Sequence, residues 1–133
     1  MLRILIADDS TLAREALMEV INDDNEMMVA GVAANGRETV KKAADLRPDL
    51  VTMDLLMPDM SGVDILKRLK ENEHLKRSPV VVLTTTDDAV EIKRCYDLGC
   101  NVYITKPVNY ESFAHAIRQL GLFFTVIQVP APV

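Results

Sequence analysis

Polar residues suited to phosphoryl chemistry follow four short apolar runs of this 133-residue chain. They are Asp8 and Asp9 after residues 1–7, Asp54 after residues 50–53, Thr84 after residues 80–83 and Lys106 shortly after residues 102–104. Ligands of an open parallel sheet bind in the crevice outside the carboxyl ends of its strands. If the runs are parallel strands, carboxylates, a hydroxyl and an ammonium converge at one edge. That arrangement predicts a site for a divalent cation and a phosphoryl group.

The acidic residues favour a metal site over a merely solvated strand end. Mg2+ takes oxygen ligands, usually one or two carboxylates completed by waters and phosphate oxygens. Asp8, Asp9 and Asp54 could supply these carboxylates. Clustered anions repel one another, which makes their ionisation costly unless a cation lies between them. We therefore expect Mg2+ at this edge of the sheet.

Asp54 follows a core strand, a position that a purely structural role seldom demands. A carboxylate can act as a nucleophile and form an acyl phosphate. Phosphoryl transfer depends mainly on positioning and on electrostatic stabilisation of the transferred oxygens. The metal would stabilise one oxygen, the ammonium of Lys106 another, and the hydroxyl of Thr84 would donate a hydrogen bond to a third.

The elements that position these residues follow from an alternation of apolar runs and helical patterns. Short, continuous, branched runs indicate buried strands, and apolar residues at the 3.6 period indicate helices. The predicted strands cover residues 2–7, 27–33, 50–53, 80–83 and 102–104. The predicted helices begin after Ser10, after Asn35-Gly36, near Val63, near Asp87 and near Tyr110. This order predicts an α/β fold, a doubly wound and mostly parallel sheet in one domain.

Local signals mark where several helices begin and end. Ser10 can cap the first helix. Pro48 stops the second, because the residue before a proline is pushed out of the α region. Gly99 ends the fourth helix, which is expected to bury Cys95 and Tyr96 together with Ile92. The fifth helix is expected to run from about residue 110 to residue 120.

Composition excludes several classes of function. The net charge of −5 provides no basic footprint, so direct nucleic-acid binding is not expected. No apolar run approaches the length of a membrane span, and the N-terminus lacks the layout of a signal peptide, so the expected location is cytoplasmic. Cys95 and Cys100 match no zinc spacing and are interpreted as small buried apolar residues.

The chain continues past Gly121 with a markedly apolar segment. Its large side chains include Phe123, Phe124, Val126 and Ile127. So much apolar surface is unfavourable in water. The segment is expected either to pack across its own domain or to contact a second chain.

Over about residues 2–120 the chain resembles the receiver domain of two-component response regulators. The resemblance is carried by Asp8-Asp9, Asp54 within residues 54–62 (DLLMPDMSG), Thr84, Tyr103 and Lys106-Pro107. It implies a flavodoxin-like sheet of five parallel strands in the order 2-1-3-4-5, five helices, and an apolar C-terminal extension. The expected organisation is a receiver domain at residues 1–120 and an arm at residues 121–133, with no separate output domain.

The resemblance also implies a role for each site residue. Asp54 would accept the phosphoryl group from a phosphohistidine of a sensor histidine kinase. Mg2+ would be bound by Asp9, Asp54 and the backbone carbonyl of Leu56, with Asp8 acting directly or through a water. Thr84 and Lys106 would contact the phosphoryl oxygens. Thr84 and Tyr103 would then relay the change to the face formed by the fourth helix, fifth strand and fifth helix.

Two parts of the chain resemble different receivers. The C-terminal part resembles single-domain regulators that partner bacterial phytochromes, which implies a homodimer formed through the fourth and fifth helices, the fifth strand and the arm. Phe123, Phe124, Val126 and Ile127 would then lie in the dimer or partner contact. The first half is more similar to receivers attached to chemotaxis methylesterases. A hybrid ancestry and a constructed chimera both stay open.

Two other functions compete with a phosphorylation switch. A Mg2+-dependent phosphatase can also use an Asp nucleophile, but it typically carries a second Asp two residues later as general acid, where this chain has Leu56. A flavodoxin-like nucleotide or flavin binder needs a Gly/Ser-rich phosphate loop, where this chain has Asp8-Asp9-Ser10. The favoured interpretation is a switch that catalyses only its own phosphorylation and dephosphorylation.

Overall fold

The protein has an α/β fold. Its structure is a computed structural model that describes residues 2–84, 88–105, 115 and 119. The strands are β1 (Leu2–Ala7), β2 (Met27–Ala33), β3 (Leu50–Met53), β4 (Val80–Thr84) and β5 (Val102–Thr105). The helices are α1 (Thr11–Asn22), α2 (Gly36–Leu46), α3 (Gly62–Glu71) and α4 (Ala89–Asp97). Apart from residues 115 and 119, the predicted fifth helix lies outside the described residues, and so does the arm at residues 121–133.

The strands form one parallel sheet in the order β2-β1-β3-β4-β5, as predicted. Ala7 lies opposite Ala33 of β2 and Met53 of β3, so these three strands end at the same level. Both β4 and β5 extend one residue further than expected, and their last residues, Thr84 and Thr105, lie opposite each other. The central strands therefore deliver their C-terminal residues to one edge.

Apolar side chains cover both faces of this sheet. Successive residues of a strand point to opposite faces. Leu5 of β1 accordingly joins a buried cluster that includes Leu66 of α3, while Ile6 joins a second cluster that includes Leu17 of α1. Burial on both faces is what makes the central strands continuous apolar runs in the sequence.

The helix ends follow the local signals. The Ser10 hydroxyl accepts a hydrogen bond from the Ala13 N–H at 3.2 Å, which confirms Ser10 as the cap of α1. Helix α2 stops at Leu46, and Arg47, just before Pro48, adopts a left-handed conformation with φ 47°. Gly99 follows α4 with φ +102°, a conformation that glycine adopts without steric cost.

The predictions of burial in α4 and just after it have different outcomes. Cys95 and Cys100 are buried, and burial raises the pKa of the Cys100 thiol to about 11, as expected for inert apolar residues. The predicted burial of Tyr96 is wrong, because its side chain is 47% exposed, and Ile92 is only partly buried. Tyr96 instead lies along β5 at the end of the sheet, where its Oη accepts a hydrogen bond from the backbone N–H of Tyr103 at 3.2 Å.

Candidate metal and phosphoryl site

The acidic residues directly follow two neighbouring strands. Asp8 follows β1, and its N–H donates to the carbonyl of Ala33 at 3.0 Å. Asp54 follows β3, and its N–H donates to the carbonyl of Ala7 at 3.0 Å. The sheet ladder therefore continues up to these two residues, which places their side chains on a rigid part of the backbone.

The predicted convergence of Asp8, Asp9 and Asp54 is present. One carboxylate oxygen from each lies within 4.8 Å of the others. Asp8 is 1% exposed and Asp54 is 5% exposed, whereas Asp9 is exposed. The cluster is thus closed on the protein side and open to solvent on the side of Asp9. Adjacent carboxylates repel, and the repulsion is relieved when a divalent cation shares their oxygens.

Asp8 is held by the beginning of α1. Its Oδ1 accepts a hydrogen bond from the Ser10 N–H at 2.9 Å, and its backbone carbonyl accepts one from Nη1 of Arg14 at 2.7 Å. Arg14 is fixed in turn by Thr11, whose Oγ1 accepts from Nη2 at 3.1 Å. The sequence analysis did not single out Arg14. Its position one turn into α1 is a signal only once the helix start is known.

Asp54 is oriented by the loop that follows it. Its Oδ1 accepts a hydrogen bond from the backbone N–H of Leu56 at 2.9 Å. Leu56 itself is 53% exposed at the rim of the site. The main chain of Leu56 therefore contacts the carboxylate while the Leu56 side chain faces solvent. The backbone carbonyl of Leu56 is a further oxygen that could bind a metal ion.

The remaining predicted residues lie in β4, in β5 and outside the described residues. Thr84, the last residue of β4, is fully buried and lies one position past the level of Asp54, since Met53 is opposite Val82. Tyr103 is half-buried in β5 and packs against the apolar cluster that contains Leu5. The other predicted contacts lie outside the described residues: Lys106, Phe123, Phe124, Val126 and Ile127.

A second acidic residue near the site was missed by the sequence analysis. Asp59 lies in the loop between β3 and α3, and its carboxylate accepts hydrogen bonds from the N–H groups of Gly36 and Arg37 at 2.6 and 3.0 Å. These backbone bonds, the one from Gly36 above all, hold the pKa of Asp59 below its ordinary value. Its sequence context, Pro58-Asp59, indicates only a turn, since the partner helix begins 23 residues earlier.

Comparison with known families and proteins gives one consistent match. Residues 4–118 match the family model of the response regulator receiver domain. The chain is 33% identical over 121 residues to a protein-glutamate methylesterase/protein-glutamine glutaminase of Methanospirillum hungatei, covering 91% of this chain and 34% of that protein. It is also 33% identical to the response regulator protein VraR of Staphylococcus aureus, covering 89% and 56%. The chain thus spans about a third to just over half the length of these relatives.

Solved structures show the same similarity over nearly the whole chain. A response regulator receiver domain from Rhodospirillum rubrum is 48% identical with a TM-score of 0.85, and 98% of each chain is covered. The phosphorylated cyanobacterial phytochrome response regulator RcpA is 27% identical with a TM-score of 0.88, covering 98% of this chain and 99% of that one. The Mn2+-bound form of the response regulator Rcp1 is 26% identical with a TM-score of 0.87, covering 98% and 100%.

The helices in the described part of the chain are too short, or not apolar enough, to span a bilayer.

Proposed function

This chain belongs to the response regulator receiver domain family of two-component signalling, and on that premise we propose that Asp54 is its phosphoacceptor. Response regulators are switches phosphorylated on an aspartate. The observation that carries the assignment is the cluster of Asp8, Asp9 and Asp54, whose carboxylate oxygens lie within 4.8 Å of one another at the ends of β1 and β3. Asp54 is the member that follows β3, the strand beside β4, whose last residue Thr84 lies one position past the level of Asp54.

The proposed cofactor is Mg2+, held by Asp9, Asp54 and the backbone carbonyl of Leu56, with Asp8 binding directly or through a water. The donor set is composed of oxygens, which suits Mg2+ and the similar ion Mn2+. A related regulator, Rcp1, has been solved in a Mn2+-bound form. When bound, the ion would offset the negative charge of the carboxylates and of the incoming phosphoryl oxygens.

In the proposed reaction a carboxylate oxygen of Asp54 attacks the phosphorus of a phosphohistidine. A P–O bond forms, the P–N bond breaks, and the imidazole leaves with the electron pair of that bond. The Leu56 N–H holds the carboxylate in place through its contact with Oδ1 at 2.9 Å. Thr84 would donate its hydroxyl hydrogen to one phosphoryl oxygen and Lys106 would pair with another. Positioning and charge stabilisation of this kind account for most catalysis of phosphoryl transfer.

The proposed output runs from Thr84 to Tyr103. Thr84 is buried at the end of β4, next to the strand that carries Tyr103. When the Thr84 hydroxyl is drawn toward the phosphoryl group, the space it leaves would admit the ring of Tyr103. The phosphoryl charge would thereby shift the equilibrium between two conformations of the surface formed by α4, β5 and the predicted fifth helix.

The proposed partners are a sensor histidine kinase of the phytochrome type and a second copy of this chain, both meeting in the cytoplasm. RcpA, a phytochrome response regulator, supports the first. The second would be formed through α4, β5, the predicted fifth helix and the arm, including Phe123, Phe124, Val126 and Ile127. The apolar character of the arm supports a covered surface.

The competing function, a Mg2+-dependent phosphatase, has less support. A phosphatase needs a general acid close to its nucleophile, and the residue two positions after Asp54 is Leu56, whose apolar side chain is 53% exposed. We propose instead that the chain catalyses only its own phosphorylation and dephosphorylation.

The direct test is incubation with Mg2+ and the small phosphodonor acetyl phosphate. We expect one acid-stable, base-labile phosphate per chain, no labelling when EDTA removes the metal, and no labelling of the Asp54→Asn variant. Asp45→Asn, which changes an exposed Asp on α2, is the matched control and should label like the wild type. Equal labelling of Asp54→Asn would contradict the assignment, and hydrolysis of an unactivated phosphate monoester over many turnovers would favour a phosphatase.

A further inference from the structure

The loop between β3 and α3 is closed on itself. The Gly62 N–H donates to the carbonyl of Leu55 at 3.0 Å, and Leu56 and Ser61 form an isolated antiparallel bridge. The two ends of the loop are also in close contact, because a Cβ on Gly62 would lie 2.4 Å from the Cα of Leu55. The two ends of the segment are therefore joined to each other, and the contacts of its tip contribute to its position together with the buried side chains of Leu55 and Met57.

Asp59 at the tip of this loop is anchored to the beginning of α2. Its Oδ1 accepts the Gly36 N–H at 2.6 Å and its Oδ2 accepts the Arg37 N–H at 3.0 Å. The first N–H groups of a helix have no partner within the helix, and they carry the positive end of its dipole. An ionised carboxylate satisfies both at once, and charge-assisted hydrogen bonds of this kind are the stronger ones.

The neighbouring residue reinforces the same contact. Met60 lies against Gly36 so closely that a Cβ on that glycine would be 2.7 Å from the Cβ of Met60. The loop tip is thus pressed onto α2 by an apolar contact and held there by the two bonds of Asp59. The tip cannot shift without losing both.

The other end of the loop reaches the phosphorylation site. Leu56 donates its backbone N–H to Asp54 Oδ1 at 2.9 Å, and its carbonyl is the proposed third metal ligand. A displacement of the loop moves this N–H and this carbonyl together. Groups that orient metal ligands from outside the coordination sphere commonly change metal affinity tenfold to a hundredfold when removed.

We propose that Asp59 is a positioning residue for the phosphorylation of Asp54: by holding the loop on α2, it fixes the main chain of Leu56 at the metal and phosphoryl site. The proposal rests on the proposed function. Helix α2 supplies none of the site residues, but through Asp59 its first residues would affect the affinity of the site for Mg2+.

The test compares Asp59→Ala with Asp24→Ala. Asp24 is the control because its carboxylate also accepts a backbone N–H, that of Glu26 at 2.7 Å, but Asp24 is partly buried and lies between α1 and β2, at the N-terminal end of the strands. Acetyl phosphate labelling is measured over a range of Mg2+ concentrations, and Mg2+ binding is measured separately by calorimetry.

For Asp59→Ala we expect the Mg2+ concentration at half-maximal labelling to rise about tenfold, with the rate at saturating Mg2+ close to that of the wild type. Asp24→Ala should leave the midpoint unchanged. Asp59→Asn keeps an acceptor oxygen but places an amide N–H2 group against the second donor, so an intermediate shift is expected. It also serves as the informative variant if Asp59→Ala fails to fold.

The outcomes separate the two proposals. Asp59→Ala could fold and show only a lower unfolding temperature, with an unchanged Mg2+ concentration at half-maximal labelling. Asp59 would then act only as a helix cap, and the inference would be overturned while Asp54 stays the acceptor. If the wild type is not labelled at Asp54, the proposed function fails. The role of Asp59 in that phosphorylation then fails as well, and calorimetry tests only whether Asp59 positions Leu56 at the metal site: an unchanged Mg2+ affinity would reject this and a weakened one would support it.

Discussion

Thr52 places a hydroxyl group in the middle of the sheet. It is 1% exposed, and it lies between Ile6 of β1 and Val81 of β4. Its Oγ1 has no hydrogen-bond partner among the residues that the structure describes. A buried hydroxyl without a partner costs about 1–3 kcal/mol of desolvation free energy. Thr39 is equally buried, but its hydroxyl donates to the carbonyl of Asn35 at 2.7 Å.

Replacing Thr52 by valine should therefore stabilise the protein. Thr52→Val keeps the branched shape and removes the unpaired polar atom, so we expect the free energy of unfolding to rise by about 1–2 kcal/mol in urea denaturation. Thr39→Val makes the same chemical change where the hydroxyl is paired and should lower it by about 1 kcal/mol. A loss of stability in Thr52→Val as large as in Thr39→Val would mean that the Thr52 hydroxyl has a partner.

Among the elements, the junction between the β3–α3 loop and α3 affects the position of the strand end that carries Asp54. Gly62 opens α3 with no room for a side chain, because a Cβ would lie 2.4 Å from both the Cα and the Cδ2 of Leu55. The obstacle at Cα is backbone and cannot rotate away. Leu55 is also the residue next to Asp54, so relief of such a clash must move the loop or the strand end.

Gly62→Ala should consequently lower both stability and metal affinity. Overpacking of this kind costs about 1–3 kcal/mol of unfolding free energy, and we expect a higher Mg2+ concentration at half-maximal labelling. Gly99→Ala is the control, since alanine is strained there by φ +102° while its Cβ would be 3.4 Å from the nearest atom, Cε of Lys70. It should lose stability without a change in the Mg2+ midpoint. A shifted midpoint in Gly99→Ala would point to a general loss of structure.

For the whole molecule, strand order determines which residues meet. The order β2-β1-β3-β4-β5 places β1 beside β3, so Asp8 and Asp54 share a site although they are 46 positions apart in the chain. The same order leaves β5 at the end of the sheet, where the Tyr96 hydroxyl meets its backbone. The proposed phosphorylation site thus lies at the C-terminal ends of the central strands β1 and β3, and the proposed output involves the outermost strand β5.

The proposed dimer is tested by sedimentation of the full chain against a variant lacking residues 122–133. We expect the full chain to sediment as a dimer and the shortened chain as a monomer, because the deletion removes the apolar residues Phe123, Phe124, Val126 and Ile127. Acetyl phosphate labelling of the shortened chain should be unchanged, which confirms that the receiver part is intact. A full chain that is monomeric with and without phosphate would reject the dimer.

The strands, the cap of α1 and the acidic strand ends could be predicted from local patterns, because burial and capping leave such patterns in the chain. Runs such as residues 50–53 and caps such as Ser10 were therefore predictable, as was the meeting of Asp8, Asp9 and Asp54 once the strands were taken as parallel. The burial of Asp8 beside an exposed Asp9, and the contact of Asp59 with the start of a helix that begins 23 residues earlier, depend on how the elements pack. Such contacts join distant segments by packing, and no local periodicity encodes them.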